Sequence, residues 1–141
     1  MTMTMTIAIL CSALLALPVF GLGLHVSMQR GKAAQEGRSQ MPQDPADPLL
    51  IAIRAHGNAT EYVPTLIVLF LLCAWVAPSP WTVALTVGAT LARLTHAGFM
   101  VTAASLAQES KPRMVGAMGT YAFGTALAVT AGAAAVVAAV G

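Results

Sequence analysis

Between residues 54 and 64 the chain reads RAHGNATEYVP, immediately before the apolar run TLIVLFLLCAWVA. Arg54, Asn58 and Glu61 are spaced four and three apart, which stacks them along one face of a helix, and Tyr62 follows directly. A face that carries a cation, an amide and a carboxylate offers donors and acceptors of both signs, the complement of a small zwitterionic or anionic ligand. Arg93 and His96 stand three apart in a second segment, LARLTHAGFM. Antiparallel packing of the two segments puts Arg93 at the depth of Glu61, where an Arg–Glu pair lowers the burial cost of each charge. The spacing supports two readings: a structural ion pair with Asn58 as a polar bridge between helices, or a stripe of Arg, Asn, Glu, Tyr and His that lines a ligand site. Pro64 frees the carbonyl of Thr60 and favours a kink that widens such a site. No metal-binding spacing, Gly-rich phosphate loop or nucleophile elbow occurs in the sequence.

These residues need elements to position them, and composition names the solvent around those elements. Of 141 residues 57% are hydrophobic and 9% charged, with mean hydropathy +0.77, against roughly 25% charged residues in an average soluble domain. Seven Lys and Arg and five Asp and Glu are too few to cover a soluble surface, so lipid must be the outer solvent. The net charge of +2 is small and the basic residues form no patch interleaved with aromatics, which argues against nucleic-acid binding. Cys11 and Cys73 lie in apolar runs, where a thiol behaves as a small hydrophobe.

Charged residues divide the chain into four apolar segments within a single domain, 1–141. Helices are expected at about 5–29, 49–77, 81–107 and 114–140, each near the ~20 residues that cross a bilayer core. MTMTMT lacks the basic start of a signal peptide, so the first segment reads as a retained helix. Residues 30–48, RGKAAQEGRSQMPQDPADP, have the composition of a solvated loop. PSP breaks the chain before Trp81, a residue favoured at membrane interfaces, and QESKPR breaks it again. The expected fold class is therefore all-α, an integral membrane four-helix bundle. Arg30, Lys32 and Arg38 lie in the first loop and Lys111 and Arg113 in the third, so the Lys/Arg bias puts those loops in the cytoplasm and both termini outside. Arg54 is near enough to a helix end to snorkel, whereas Glu61 and Arg93 sit deep, where an ionisable group costs roughly 2.5–3.5 kcal/mol. In the fourth segment Ala128 and Gly132 form a small-xxx-small pair that permits close helix approach.

RAHGNATEYVP resembles the second-helix signature of the MAPEG family, membrane-associated proteins in eicosanoid and glutathione metabolism, whose pattern is R-x-x-x-N-x-x-E-[YF]-x-P. Arg54, Asn58, Glu61, Tyr62 and Pro64 fill it. LARLTHAGFM is similar to the family's third helix, with Arg93 and His96 at the positions of its arginine and its following His or Tyr. The resemblance covers most of the chain and is nearest to small bacterial members, which implies a bacterial inner-membrane location. It implies a homotrimer of four-helix protomers with glutathione bound between subunits near the cytoplasmic side. Arg54, Asn58, Glu61 and Tyr62 would hold the tripeptide, Arg93 and His96 would complete the wall, and Arg30 matches a family arginine at the exit of the first helix.

The resemblance implies a glutathione transferase or peroxidase acting on a lipophilic electrophile that enters from membrane lipid. Its enzymes activate the thiol with an arginine near the end of the third helix or the start of the fourth. Here that stretch reads VTAASLAQES, without arginine, and Met100 replaces a family tyrosine. Arg113, after Pro112, is the nearest substitute, with Lys111 second, and Arg93 is the other arginine that could assist thiolate attack. These departures motivate an alternative, a non-catalytic scaffold or ligand-binding member held together by a structural Arg–Glu pair. A proton-coupled carrier using Glu61 and His96 is disfavoured because four helices without inverted halves make a poor transporter.

Overall fold

Each helix begins where the sequence supplies a cap. In the computed structural model, which describes all residues from Met1 to Gly141, α1 spans Met3–Gln35, α2 Pro48–Val76, α3 Pro80–Val101 and α4 Lys111–Val140. The caps are Thr2, Asp47, Ser79 and Ser110, whose side chains accept from the backbone N–H of Met5, Leu49, Thr82 and Arg113 respectively. Proline in the first turn of the last three helices fixes φ where no donor is needed.

Two helix ends differ most from the sequence reading, and α4 also starts earlier, at Lys111 instead of about 114. α1 continues two turns into the segment read as loop, because Lys32, Ala33, Ala34 and Gln35 are good helix formers. It stops at Gly37, whose φ of 64° closes a C-terminal motif with Arg38 N donating to Ala33 O at 2.8 Å and Gly37 N to Ala34 O at 3.2 Å. α3 stops at Val101 instead of near residue 107. There the Ser105 hydroxyl accepts from Ala107 N at 3.2 Å, a local bond that competes with helix.

α1, α2 and α4 are long and apolar enough to cross a membrane. α3 has 22 residues and so, at ~1.5 Å per residue, length enough. Its composition departs from the four equivalent spans expected, because its buried face carries Thr82, Thr86, Thr90, Arg93 and His96. α2 and α3 each touch all three other helices, while α1 and α4 do not meet. The polar face of α3 is thereby enclosed. Ala8, Cys11 and Leu15 of α1, Val63, Leu66, Phe70 and Cys73 of α2, Leu85 and Ala89 of α3 and Leu127 of α4 form the main core.

At one end the α1–α2 and α3–α4 loops join, Leu106 N donating to Pro45 O at 2.9 Å. Arg38 organises the first of these loops, with Nε 2.6 Å from Glu36 and Nη1 3.0 Å from the α2 cap Asp47. Its guanidinium is held above its ordinary range, chiefly by the Glu36 hydrogen bond.

α3 and α4 approach closely over small residues. A Cβ on Gly116 would lie 2.6 Å from His96 N and 2.7 Å from Ala92 O, and one on Gly88 would lie 2.7 Å from Phe123 Cζ. Backbone cannot give way as a side chain can. Gly116→Ala is therefore expected to destabilise the protein by about 1–3 kcal/mol, measured by unfolding in detergent micelles. Gly31→Ala, where a Cβ meets nothing within 4 Å, is the matched control and should leave stability equal or raise it by up to ~1 kcal/mol.

Candidate functional site

Arg93 is 3% exposed, enclosed between α3 and α2. Its Nη2 donates to Asn58 Oδ1, its guanidinium carbon lies 5.3 Å from the centroid of the Tyr62 ring, and its Nε has no partner. A cation over an aromatic face is attracted by the ring quadrupole, so Tyr62 supplies part of what a counter-ion would. Tyr62 Oη in turn donates to Tyr121 Oη of α4 at 3.3 Å, with ring centroids 5.7 Å apart and planes tilted by 52°. Three helices thus contribute to one chain of contacts, Asn58–Arg93–Tyr62–Tyr121.

The expected Arg93–Glu61 ion pair is not formed; the protein's ion pairs are those of Arg38 with Glu36 and with Asp47. The helix repeat gives the physical reason. At ~100° per residue, Glu61 projects roughly 60° to one side of Asn58 and Tyr62 roughly 40° to the other. The Tyr62 side turns into the bundle, and Glu61 is left exposed on its outer surface. Arg54, which lies on the Glu61 side of the stripe, is exposed as well. Pro64 is exposed, and α2 continues through it.

His96 belongs to a second group near the joined loops. Its Nδ1 lies 2.8 Å from Arg113 O, and Arg113 Nη2 donates to Leu106 O at 3.3 Å and Gln108 O at 2.9 Å, fastening the α3–α4 loop. A cavity of about 360 Å³ opens here, lined by His96, Glu109, Ser110, Lys111, Arg113, Met114 and Ala117. Arg30 is exposed on the last turns of α1, apart from both groups, and its backbone oxygen accepts from Gln40 Nε2 at 3.3 Å.

The structure therefore joins Asn58, Tyr62 and Arg93 directly, sets His96 with Arg113, and leaves Arg30, Arg54 and Glu61 on the surface without side-chain partners. Tyr121 is the member that sequence reasoning missed. Its signal was present: the chain has two tyrosines, and one stands in the fourth helix among small and apolar residues. A protein-family model described as MAPEG family matches residues 8–133. No curated protein matches the chain.

Stability separates Asn58 from Glu61 on α2. Asn58→Leu removes the acceptor of a buried cation and should cost about 1.5–3 kcal/mol, whereas Glu61→Gln, on an exposed and unpaired side chain, should stay within ~0.5 kcal/mol. Denaturant unfolding of the ligand-free protein in micelles measures both.

Proposed function

This chain belongs to the MAPEG family, and from that premise we propose that it binds glutathione in a homotrimer and transfers the thiol to, or reduces, lipophilic electrophiles. The observation that carries the reading is the division of the α2 stripe. Asn58 and Tyr62 contact Arg93, while Arg54 and Glu61 stand outside the protomer on a helix apolar enough to cross a membrane. Exposed charges at such positions normally face a bundle interior or a wet cavity, and a second subunit seated against this face supplies one.

Glutathione carries two carboxylates and an ammonium. Arg54 complements a carboxylate, Glu61 the ammonium, and Asn58 offers an amide between them. Arg30 and His96 complete the polar wall toward the loop end. The joined loops and the helix ends beside them carry Arg30, Lys32, Arg38, Lys111 and Arg113, which favours a cytoplasmic position for that end, with both termini across a bacterial inner membrane. The acceptor reaches the site from lipid.

For thiol activation Arg93 is the stronger of the two arginines considered. Arg113 spends Nη2 on two loop carbonyls. Arg93 is buried with no carboxylate paired to it, so its charge is met only by neutral partners, Asn58 and the Tyr62 ring, and is not cancelled. A cation close to a thiol favours the thiolate and thus the nucleophile.

Calorimetry on the purified protein in detergent tests the reading. The protein should bind glutathione as a trimer, and Glu61→Gln should lower affinity by about tenfold or more while the trimer persists, the loss of a charge-assisted hydrogen bond. A protein that takes up no glutathione overturns it.

A further inference from the structure

The charges at the joined loops are used unevenly. Arg38 is paired twice, whereas Glu109 and Lys111, beside the start of α4, are exposed and form no ion pair. Both line the cavity of about 360 Å³ into which His96 opens, a volume within the ~300–1,000 Å³ of ligand pockets. His96 is 9% exposed, and its ring fixes one requirement of an occupant. Arg113 O, a carbonyl, can only accept, so Nδ1 carries the hydrogen and donates at 2.8 Å. Nε2 of the neutral ring is then an acceptor, and no group of the protein bonds to it. A buried acceptor on a cavity wall calls for a donor from outside the chain.

The rest of the wall asks for the opposite charge. Lys111 is a cation, and Arg113 keeps Nε and Nη1 unbonded after giving Nη2 to the loop carbonyls. Ser110 caps a 30-residue helix whose dipole favours an anion at this end. Glu109 adds a carboxylate to the same wall. An occupant that satisfies Lys111, Arg113, Glu109 and His96 together carries an anion and an N–H cation a short distance apart.

Depth in the membrane narrows the choice. From Met114 to Gly141 the chain has no charged residue, so the boundary between headgroups and hydrocarbon falls at the cavity. Met114 lines both the cavity and an apolar groove of about 440 Å³ that runs on along α4 through Met118 and Ala122 to Phe123. This groove lies on the flank of α4 that meets α3, where Phe123 covers Gly88 and Gly119 lies against Ala92. A polar cavity at headgroup depth that opens onto an apolar groove is the complement of a phospholipid. Glutathione has similar ionic groups but no chain to fill the groove.

We propose that this cavity binds a phospholipid whose headgroup ends in a primary ammonium, of which phosphatidylethanolamine is the simplest. The phosphate lies against Lys111 and Arg113, the ammonium donates to Glu109 and to His96 Nε2, and one acyl chain follows the groove. A choline headgroup has the same charges but no N–H for either acceptor, and a glycerol headgroup has no cation for Glu109. The inference rests on these residues and not on the glutathione reading, although His96 borders both sites.

Native mass spectrometry tests the assignment without glutathione present. The purified protein is released from micelles holding equimolar phosphatidylethanolamine, phosphatidylcholine and phosphatidylglycerol with identical acyl chains. The ethanolamine lipid should be retained about tenfold or more over each of the others. Glu109→Gln should cut its preference over the choline lipid to less than about threefold, and Lys111→Ala should lower its retention by about fivefold or more. Both positions are exposed, so the variants should melt with the wild type in lipid-free detergent, which separates lost binding from lost fold. Equal retention of the three lipids, or preference for the glycerol lipid, overturns the headgroup assignment. A preference that survives both variants overturns the location. Glycerophosphoethanolamine, the headgroup without chains, and glutathione should each leave the retained lipid in place when added at the lipid's own concentration. Displacement by either assigns the cavity to a soluble ligand and overturns the proposal.

Discussion

A guanidinium enclosed in a bundle built to face hydrocarbon has to be given acceptors, and Arg93 imposes that demand on the helices around it. A buried cation left unpaired is strongly unfavourable. The chain meets the demand without a counter-charge: Asn58 accepts one bond, and the face of Tyr62 supplies an electrostatic partner. Both come from α2, which is why α2 and α3 must be neighbours at this depth. The threonines at 82, 86 and 90 extend the same polar face of α3 away from Arg93, and a helix with such a face is stable in lipid only when other helices cover it. α1, α2 and α4 do so.

What was legible in the sequence follows from one-dimensional physics. Charge and proline mark where the apolar runs break, at PSP and at QESKPR, whereas the caps Asp47, Ser79 and Ser110 that start the last three helices came to light in the structure. The apolar runs mark their bodies. The end of α1 was less legible, because RGKAAQ is charged yet helix-forming, and only the left-handed Gly37 stops it. Charge indicates that a segment leaves the hydrocarbon; it does not indicate that the helix ends there.

The site was legible as a set of residues and not as a set of contacts. Depth along a helix follows from counting, so Arg93 and Glu61 were rightly placed at similar levels. Azimuth decides which residues touch, and the four residues of the α2 stripe span roughly 100° of the helix surface. A neighbouring helix can cover one edge of so broad a stripe. Which edge it covers depends on where α3 and α4 lie, and that is set by packing far from the motif, including the close backbone approach at Gly116. Tyr121 was missed for the same reason. Nothing local to α4 reports that its tyrosine meets the one on α2.

This division of the stripe gives the protein two polar surfaces with different duties. The inner edge, Asn58 and Tyr62, is committed to Arg93, and its cost is met within the protomer. The outer edge, Arg54 and Glu61, is uncommitted, and so are the Arg93 Nε and one tyrosine hydroxyl hydrogen. A buried unsatisfied donor costs about 1–3 kcal/mol, and exposed charges on a membrane-spanning face cost more, so the free protomer holds polar capacity that its own fold does not use. A fold optimised for stability alone would replace these groups with leucine. Their retention along one line leaves unused polar capacity on the outer face of α2, one helix edge away from the arginine that the bundle encloses.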